Sequence, residues 1–389
     1  MNCCSGTIAA SRTDDPFAYF QNCIADEVEF IRSWKRKGGK VAGIYCEFTP
    51  RDLFLAGGVI PVCLCGTSQQ TIAPAETVLP ANLCPLIKSS YGYILTNRCP
   101  FATAADLIVG ETTCDGKKKM FEILAENKRT HILELTQKVN ESEAFDHWFA
   151  EIQKLKATIE SVIGREITDN DLATGIQTMN RERALLLEIF ELGKCNPPIV
   201  TGKELAMIRY RVAGLPRHLE MLAAFLDMIK SRAASGYLAA PASAPRVMLT
   251  GCPTGHGSEK VIEIIEECGG IVVGQETCSG VKPLMEPVSE DGHPLMAIAR
   301  KFFNLPCSCM TPNTGRTALL KQLAADYQVN AIVDLVWQAC HTYNVESYFI
   351  DRFSRETLNV PYLKIETDYS PSDREQLKVR IQTLLEISA

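Results

Sequence analysis

Two segments of the chain repeat one unusual pattern, a short apolar run that leads into a Thr-Cys-x-Gly turn. They are Leu107-Ile-Val-Gly-Glu-Thr-Thr-Cys114-Asp-Gly and Ile271-Val-Val-Gly-Gln-Glu-Thr-Cys278-Ser-Gly. Each apolar run predicts a short buried strand, and the glycine permits a tight turn after it. Each pattern therefore places a thiol at the carboxyl end of a strand, where α/β sheets bind ligands. The repeat predicts two related lobes that aim cysteines at a common cleft.

The remaining sequence predicts an α/β fold of two Rossmann-like lobes with mostly parallel sheets. Asp15-Pro16 opens an N-terminal helix, and a compact βαβ unit follows it at 41–63. Two further apolar runs, at 91–95 and 106–109, are interpreted as the other strands of the first lobe. Strands that alternate with helices are typical of a parallel, doubly wound sheet.

A charged segment with apolar positions at three- and four-residue spacing separates the lobes and predicts a helical insertion. The α/β pattern returns after the alanine- and proline-rich linker at 239–245. The strands predicted beyond that linker are 246–250, 271–273, 331–336 and 361–365, with a helix at 258–267. The predicted divisions are an N-terminal helical segment at 1–40, a first lobe at 41–116, a helical section at 117–240 and a second lobe at 245–389.

The composition argues against several classes of partner. A net charge of −6 over 389 residues provides no basic field for a nucleic acid. No apolar run approaches the length of a bilayer span, and the first 30 residues lack the apolar core of a signal peptide. We therefore expect a cytoplasmic protein with neither a nucleic-acid nor a membrane partner.

Sixteen cysteines are the second strong feature of this chain. Disulfides are disfavoured in a reducing cytosol, so a thiol-rich chain there indicates metal binding or redox chemistry. A buried free cysteine also packs as a small apolar residue, and that interpretation suffices for Cys23, Cys195 and Cys268 in their helix-like contexts. The cysteines at predicted strand ends are Cys46, Cys114, Cys278 and Cys340, and those in irregular loops are Cys84, Cys99, Cys307 and Cys309.

Thiolates that converge in this way suit soft metal centres, above all iron–sulfur clusters. The chain has no dense ferredoxin-type run of cysteines and no paired C-x-x-C knuckle. The ligands must then come from distant parts of the sequence, and the cluster is expected between the lobes. Predicted helix starts after Cys114 and Cys278 would favour its negative charge, and Lys117 and Lys282 would add positive potential.

One glycine-rich segment is a candidate nucleotide-binding loop. Thr250-Gly-Cys-Pro-Thr-Gly-His-Gly-Ser lies between a predicted strand and a predicted helix, the context of a phosphate-binding loop. It lacks both the lysine of a Walker motif and the third glycine of a dinucleotide site. A helix-starting turn at the cleft is the favoured interpretation, so we expect that this chain does not itself bind ATP.

The chain resembles the iron–sulfur subunits of 2-hydroxyacyl-CoA dehydratases and the related benzoyl-CoA reductases, from about residue 17 to 385. The segments that carry this resemblance are 45–62, 111–119 and 339–344. Within that superfamily it is most similar to the double-cubane cluster proteins, because further segments add thiols to the simpler dehydratase pattern. Those segments are 97–101, 276–282 and 307–313.

The resemblance implies a set of cluster ligands. In dehydratase subunits three cysteines hold one four-iron cluster, and the matching positions are Cys84, Cys114 and Cys340. The double-cubane group implies two cubanes joined by a bridging sulfide and held by about six thiolates. The other three would be Cys46, Cys278 and Cys309, with Cys307 an almost equal alternative to Cys309 and Cys99 a reserve. His341 and Glu47 are candidate catalytic residues without an assigned role.

The resemblance also implies an activity and partners. A separate homodimeric ATPase of the actin-like fold, with its own four-iron cluster, would inject low-potential electrons. This chain, itself a homodimer, would reduce a small unsaturated molecule such as an alkyne, azide or hydrazine under anaerobic conditions. Two alternatives stay open: a 2-hydroxyacyl-CoA dehydratase subunit with a single four-iron cluster, and a non-enzymatic electron carrier or cluster scaffold.

Overall fold

The computed structural model describes residues 13–208 and 212–388, which form two β-sheets flanked by helices. The strands are β1 (Lys40–Ile44), β2 (Val59–Cys63), β3 (Leu107–Glu111), β4 (Thr130–Leu133), β5 (Arg246–Gly251), β6 (Ile271–Glu276), β7 (Ala331–Trp337) and β8 (Tyr362–Thr367). The helices are α1 (Pro16–Arg36), α2 (Arg51–Ala56), α3 (Ile72–Ala75), α4 (Pro85–Leu95), α5 (Pro100–Ala104), α6 (Asp115–Ala125), α7 (Ala144–Ile163), α8 (Asp169–Glu191), α9 (Gly202–Met207), α10 (Pro216–Ala234), α11 (Lys260–Glu267), α12 (Pro294–Phe303), α13 (Thr314–Asp326), α14 (His341–Phe353) and α15 (Arg374–Glu386).

The two sheets have the same topology. Their strand orders are β2-β1-β3-β4 and β6-β5-β7-β8, and every pairing is parallel. The predicted α/β fold with two Rossmann-like lobes is therefore confirmed. In each sheet the chain adds a strand on one side of its first strand and then crosses to the other side. The loops after β1 and β3, and those after β5 and β7, diverge at this switch point and leave a crevice.

The first described helix follows local capping rules. The Asp15 carboxylate accepts a hydrogen bond from the backbone N–H of Phe17, and Pro16 lies in the first turn of α1. Gly38 has a φ of +83° just after the helix, a conformation that glycine adopts without strain. The N-terminal helix is thus confirmed. No helix within the described residues is long and apolar enough to cross a membrane.

Two segments differ from the sequence-based expectation. The interpretation of residues 91–95 as a strand is wrong, because they form the second half of α4, which begins at Pro85. A five-residue apolar run does not distinguish a strand from a buried helix segment. Strand β4 lies inside the section predicted to be helical, and it pairs only with β3 at the edge of the first sheet. Its four residues give too short a signal to stand out from the surrounding helices.

One hydrophobic core cluster extends through both lobes. Val41 and Ile108 of the first sheet belong to the same buried cluster as Leu249 and Val333 of the second sheet. This cluster fixes the relative position of the sheets, because moving one lobe would expose apolar surface to water. The crevice between the sheets is consequently a defined site and not a gap between independent domains.

A buried ion pair attaches the helical section to the first lobe. The two terminal guanidinium nitrogens of Arg183 on α8 donate to the two carboxylate oxygens of Asp52 on α2, at 2.9 and 2.5 Å. The Asp52 side chain is fully buried, and that of Arg183 is nearly so. The pair is bidentate, a geometry that only the planar guanidinium provides.

We expect Arg183→Met to lower the free energy of unfolding by about 3–5 kcal/mol, because Asp52 would keep a buried, unpaired charge. Arg36→Met is the matched control, since its ion pair with Glu29 is exposed, and its effect should stay within about 1 kcal/mol. Equilibrium denaturation in urea measures both variants. Equal effects of the two variants would contradict the assigned role of the buried pair.

Candidate metal centre

A cavity of about 1320 Å³ lies between the lobes at the carboxyl ends of both sheets. The cysteines that line it are Cys46, Cys63, Cys65, Cys84, Cys114, Cys252, Cys278, Cys307, Cys309 and Cys340. All six cysteines that the sequence nominates as ligands are therefore brought to one cavity, together with the alternative Cys307. The reserve Cys99 is not part of this lining, and its sulfur instead accepts the backbone N–H of Ala102 at the start of α5.

Six strands end within three residues of a cavity thiol. In the first sheet β1, β2 and β3 lead to Cys46, Cys65 and Cys114. In the second sheet β5, β6 and β7 lead to Cys252, Cys278 and Cys340. The repeated Thr-Cys-x-Gly pattern consequently does not occupy equivalent strands, since one copy follows β3 and the other follows β6. The lobes share a topology, and the repeat is a local resemblance of two turns.

The first thiol set consists of Cys84, Cys114, Cys252 and Cys340. The Cys340 thiol lies within hydrogen-bonding reach of the thiols of Cys84 and Cys252. Cys114 lies close enough to Cys340 to interact with it electrostatically. Two members of this set come from the first lobe and two from the second.

The second thiol set consists of Cys46, Cys278, Cys307 and Cys309. Cys307 is central, because its thiol is within hydrogen-bonding reach of both Cys278 and Cys309. Cys46 interacts electrostatically with Cys307 and Cys309. Within residues 13–208 and 212–388, no three His, Cys, Asp or Glu side chains converge as they would around a single metal ion.

Helix N-termini support the first thiol set. Cys84, Cys114 and Cys340 are the N-cap residues of α4, α6 and α14. The Cys114 sulfur accepts the backbone N–H of Lys117 at 3.4 Å, and backbone N–H groups also reach the sulfurs of Cys84 and Cys340. Such N–H groups and the helix dipole favour a negatively charged sulfur.

The helix expected after Cys278 does not form. A turn follows β6, and the next element is a single 3₁₀ turn at Lys282–Leu284. Pro283 lies inside that turn and cannot donate the backbone hydrogen bond that a longer helix needs. The prediction of a helix N-terminus beside Cys278 is therefore wrong, and this thiol has different neighbours from those of the first set.

Glu111 and Lys117 form a buried pair beneath the first lobe's thiols, with Lys117 Nζ 3.9 Å from Glu111 Oε2. Glu111 Oε1 accepts the backbone N–H of Cys46 at 3.2 Å, so this carboxylate joins the end of β3 to the turn after β1. Burial alone would lower the pKa of Lys117, but the nearby Cys46 and Glu111 outweigh it and the pKa is raised. Lys117 is thus a fixed positive charge among the thiols.

The second lobe buries a larger charged network, formed by Glu276, Lys282, Arg316 and Glu346. Lys282 Nζ lies 3.0 Å from one oxygen of Glu276, and Arg316 Nε lies 3.2 Å from the other. Arg316 also binds Glu346, which lines the cavity. Burial raises the pKa of the Glu276 carboxyl, but Lys282 and Arg316 overcome that effect and lower it. The carboxylate is therefore ionised within a matched set of charges.

The comparison with known proteins identifies the family of this chain. A family model described as 2-hydroxyglutaryl-CoA dehydratase, D-component, matches residues 46–387. The chain belongs to the 2-hydroxyglutaryl-CoA dehydratase D-component family.

Relatives in this family align with most of the chain. It is 41% identical over 383 residues to YjiM of Escherichia coli (strain K12), whose name marks it provisionally as a dehydratase subunit. That alignment covers 96% of this chain and 99% of YjiM. It is 23% identical to the (R)-phenyllactyl-CoA dehydratase beta subunit of Clostridium sporogenes, covering 97% and 99% of the two chains. It is 22% identical to a benzoyl-CoA reductase subunit of Thauera aromatica, covering 70% and 71%.

The two candidate catalytic residues, Glu47 and His341, differ in how exposed they are at the cavity. Glu47 is buried, and its Oε1 lies 3.2 Å from the sulfur of Cys278. Burial raises the pKa of Glu47 to about 7, although Lys282 opposes the shift. His341 lies at the exposed start of α14 on the cavity lining. The Glu47 Oε2 and Tyr45 Oη atoms are buried without a hydrogen-bond partner in the described residues, as expected of groups that face a bound species.

Sequence reasoning did not single out Cys252, Cys65 or Tyr343. Cys252 lies two residues after the predicted strand at 246–250, so the argument for the other strand-end thiols applies to it as well. It belongs to the glycine-rich segment whose context resembles a phosphate-binding loop. Tyr343 lies in the segment 339–344 that carries the family resemblance, but its approach to Cys278 depends on the tertiary position of α14.

We expect Lys117→Met to slow alkylation of Cys114 in the metal-free protein about threefold at pH 8. Burial raises the pKa of Cys114, and the positive charge of Lys117 opposes that shift, so its removal raises the pKa further and leaves less thiolate. Mass spectrometry of iodoacetamide-treated protein measures the rate, after circular dichroism has established that the variant is folded. Lys119→Met, an exposed lysine on the same helix, is the control. An unchanged rate in Lys117→Met would show that this charge does not act on the thiol.

Proposed function

We propose that this chain is an iron–sulfur reductase component that receives low-potential electrons from an ATP-hydrolysing activator. It reduces small unsaturated molecules at a double-cubane cluster in the cleft between the lobes. The observation that carries the proposal is the convergence of two thiol sets, each with members from both lobes, on one cavity. The three ligands expected for a dehydratase-type cubane all fall in the first set, and the three additional ones all fall in the second.

The residues of the cavity fit such a cluster. Thiolates are the ligands that iron–sulfur clusters require, and each set offers at least three. Each set places its four thiols around one part of the cavity. That arrangement suits a cubane, whose ligands bind separate irons. We propose Cys84, Cys114 and Cys340 as ligands of one cubane, and Cys46, Cys278 and Cys309 as ligands of the other. Cys307 competes with Cys309 for the last place, and Cys252 adds a further thiol to the first set.

A cluster of two cubanes would supply pairs of electrons at low potential. The protein's part is to hold it in a dry and electrostatically defined place. Backbone N–H groups at the starts of α4, α6 and α14 offset the charge of the thiolates. Ile87, Met310 and Trp337 contribute buried apolar side chains to the lining. A hydrogen bond to sulfur is stronger where such side chains lower the local dielectric.

The proposed partners follow from the family and from the resemblance. The names of the phenyllactyl-CoA dehydratase and benzoyl-CoA reductase relatives describe them as subunits. Family members of this kind therefore act together with other chains. For this chain we propose a separate ATPase of the actin-like fold that docks and transfers electrons. Because one chain supplies all six thiolates, a second type of cluster-binding subunit is not needed, and we propose a homodimer in the cytoplasm.

A dehydratase subunit is the second candidate, and the names of its relatives favour it. In that case a single four-iron cluster, held by the first thiol set, would serve elimination of water from a 2-hydroxyacyl-CoA. The second thiol set would then have no role in metal binding. The two candidates therefore differ in the iron content of the protein and in the effect of replacing Cys278.

Anaerobically purified protein should contain about eight irons per chain, twice the content of one cubane. Cys114→Ser and Cys278→Ser should each lose about four of these irons, because each removes a ligand from a different set. Cys268→Ser, outside the cavity lining, should retain the full content. About four irons in the wild type, with no loss in Cys278→Ser, would favour the dehydratase subunit instead.

Reduction of a small test substrate such as acetylene should require both the activator and ATP. We expect no turnover when either is omitted, because the electron must be driven to low potential before it enters the cluster. Gas chromatography of the product measures the rate. An intact cluster that never reduces any substrate in the presence of activator and ATP would favour an electron carrier or scaffold.

A further inference from the structure

Cys278 differs from the three proposed ligands of the first thiol set in its hydrogen-bond donors. Cys84, Cys114 and Cys340 each receive backbone N–H groups at the start of a helix. No helix starts beside Cys278 within the described residues, and three polar side chains lie close to its sulfur. They are the thiol of Cys307, the Glu47 carboxyl and the Tyr343 hydroxyl. The Tyr343 hydroxyl carries one hydrogen that it can donate to a Cys278 thiolate.

Lys282 determines the direction in which the Tyr343 hydroxyl points. Lys282 Nζ lies 3.3 Å from Tyr343 Oη, and an ammonium group can only donate. The phenol oxygen therefore accepts from the lysine, and its single hydrogen is available to another acceptor. The Cys278 sulfur lies 3.9 Å from the same oxygen and is correctly placed to accept it. Lys282 is itself held at 3.0 Å by the buried carboxylate of Glu276.

The position of the phenol ring is fixed from the other side as well. Arg316, which is fully buried, stacks its guanidinium over the Tyr343 ring at 5.0 Å from the ring centre. Tyr343 lies in the first turn of α14, two residues after the helix begins, and only 5% of it is exposed. Lysine, arginine and helix together hold the phenol oxygen beside the Cys278 sulfur.

We propose that Tyr343 is the hydrogen-bond donor to the Cys278 sulfur and that this bond raises the reduction potential of the half of the cluster that Cys278 holds. The inference rests on the proposed function, since it requires a cluster in the cavity. Reduction adds negative charge to the cluster and its sulfurs, and an O–H dipole directed at sulfur stabilises that charge. Tyr343 and Lys282 act as positioning residues, and the proton stays on the phenol.

Tyr343→Phe in the full-length, cluster-loaded protein tests the inference, because it removes the hydroxyl and keeps the ring. We expect unchanged iron content and a shift of one midpoint potential to a more negative value in an EPR-monitored redox titration. Tyr348→Phe is the matched control, since it makes the same change on the same helix at a side that is 65% exposed. The control should reproduce the wild-type potentials.

The outcomes separate this inference from the proposed function. A fully loaded Tyr343→Phe protein with wild-type potentials would overturn the role of Tyr343 alone. A wild-type protein that binds no iron would overturn both. If Tyr343→Phe does not fold, replacement of Tyr343 by 3-fluorotyrosine tests the same bond with the opposite sign. Its more acidic hydroxyl is a stronger donor, so the potential should shift to a more positive value, and no shift would overturn the inference.

Discussion

The convergence of strand ends from two separate sheets on one crevice is the constraint on which the rest of this structure depends. Each parallel sheet directs its strands' carboxyl ends to the same side. One shared hydrophobic core cluster fixes the position of the two sheets relative to each other. Cysteines that are far apart in sequence are thereby brought within contact of each other. Without that common core the thiols of each lobe would line separate surfaces, and neither set would be complete.

The two thiol sets have different surroundings. The first set lies at the starts of three helices, and Lys117 is close both to Cys114 of the first set and to Cys46 of the second. Cys278 of the second set is followed by a turn where the sequence predicts a helix, and its sulfur lies beside Tyr343, which in turn contacts Lys282 and Arg316. A centre built in this way offers two environments within one cavity, which suits a cluster whose two halves differ in potential.

The fold and most of the site follow from the sequence because both depend on local signals. Apolar runs bounded by turns located seven of the eight strands, and a cysteine just past a run necessarily lies at the sheet edge. Strand β4 is not predicted, because four residues inside a helical section carry little strand-specific pattern. The division of the thiols into two sets and the approach of Tyr343 to Cys278 depend on tertiary packing. No pattern along the chain encodes those distances.

Diffraction from crystals of the cluster-loaded protein at the iron absorption edge tests the central claim most directly, because it locates iron independently of the protein atoms. The account predicts anomalous density in two adjoining groups inside one cavity, one bordered by Cys84, Cys114 and Cys340 and the other by Cys46, Cys278 and Cys307 or Cys309. Iron confined to the first group, or bound away from the interlobe cavity, would contradict it.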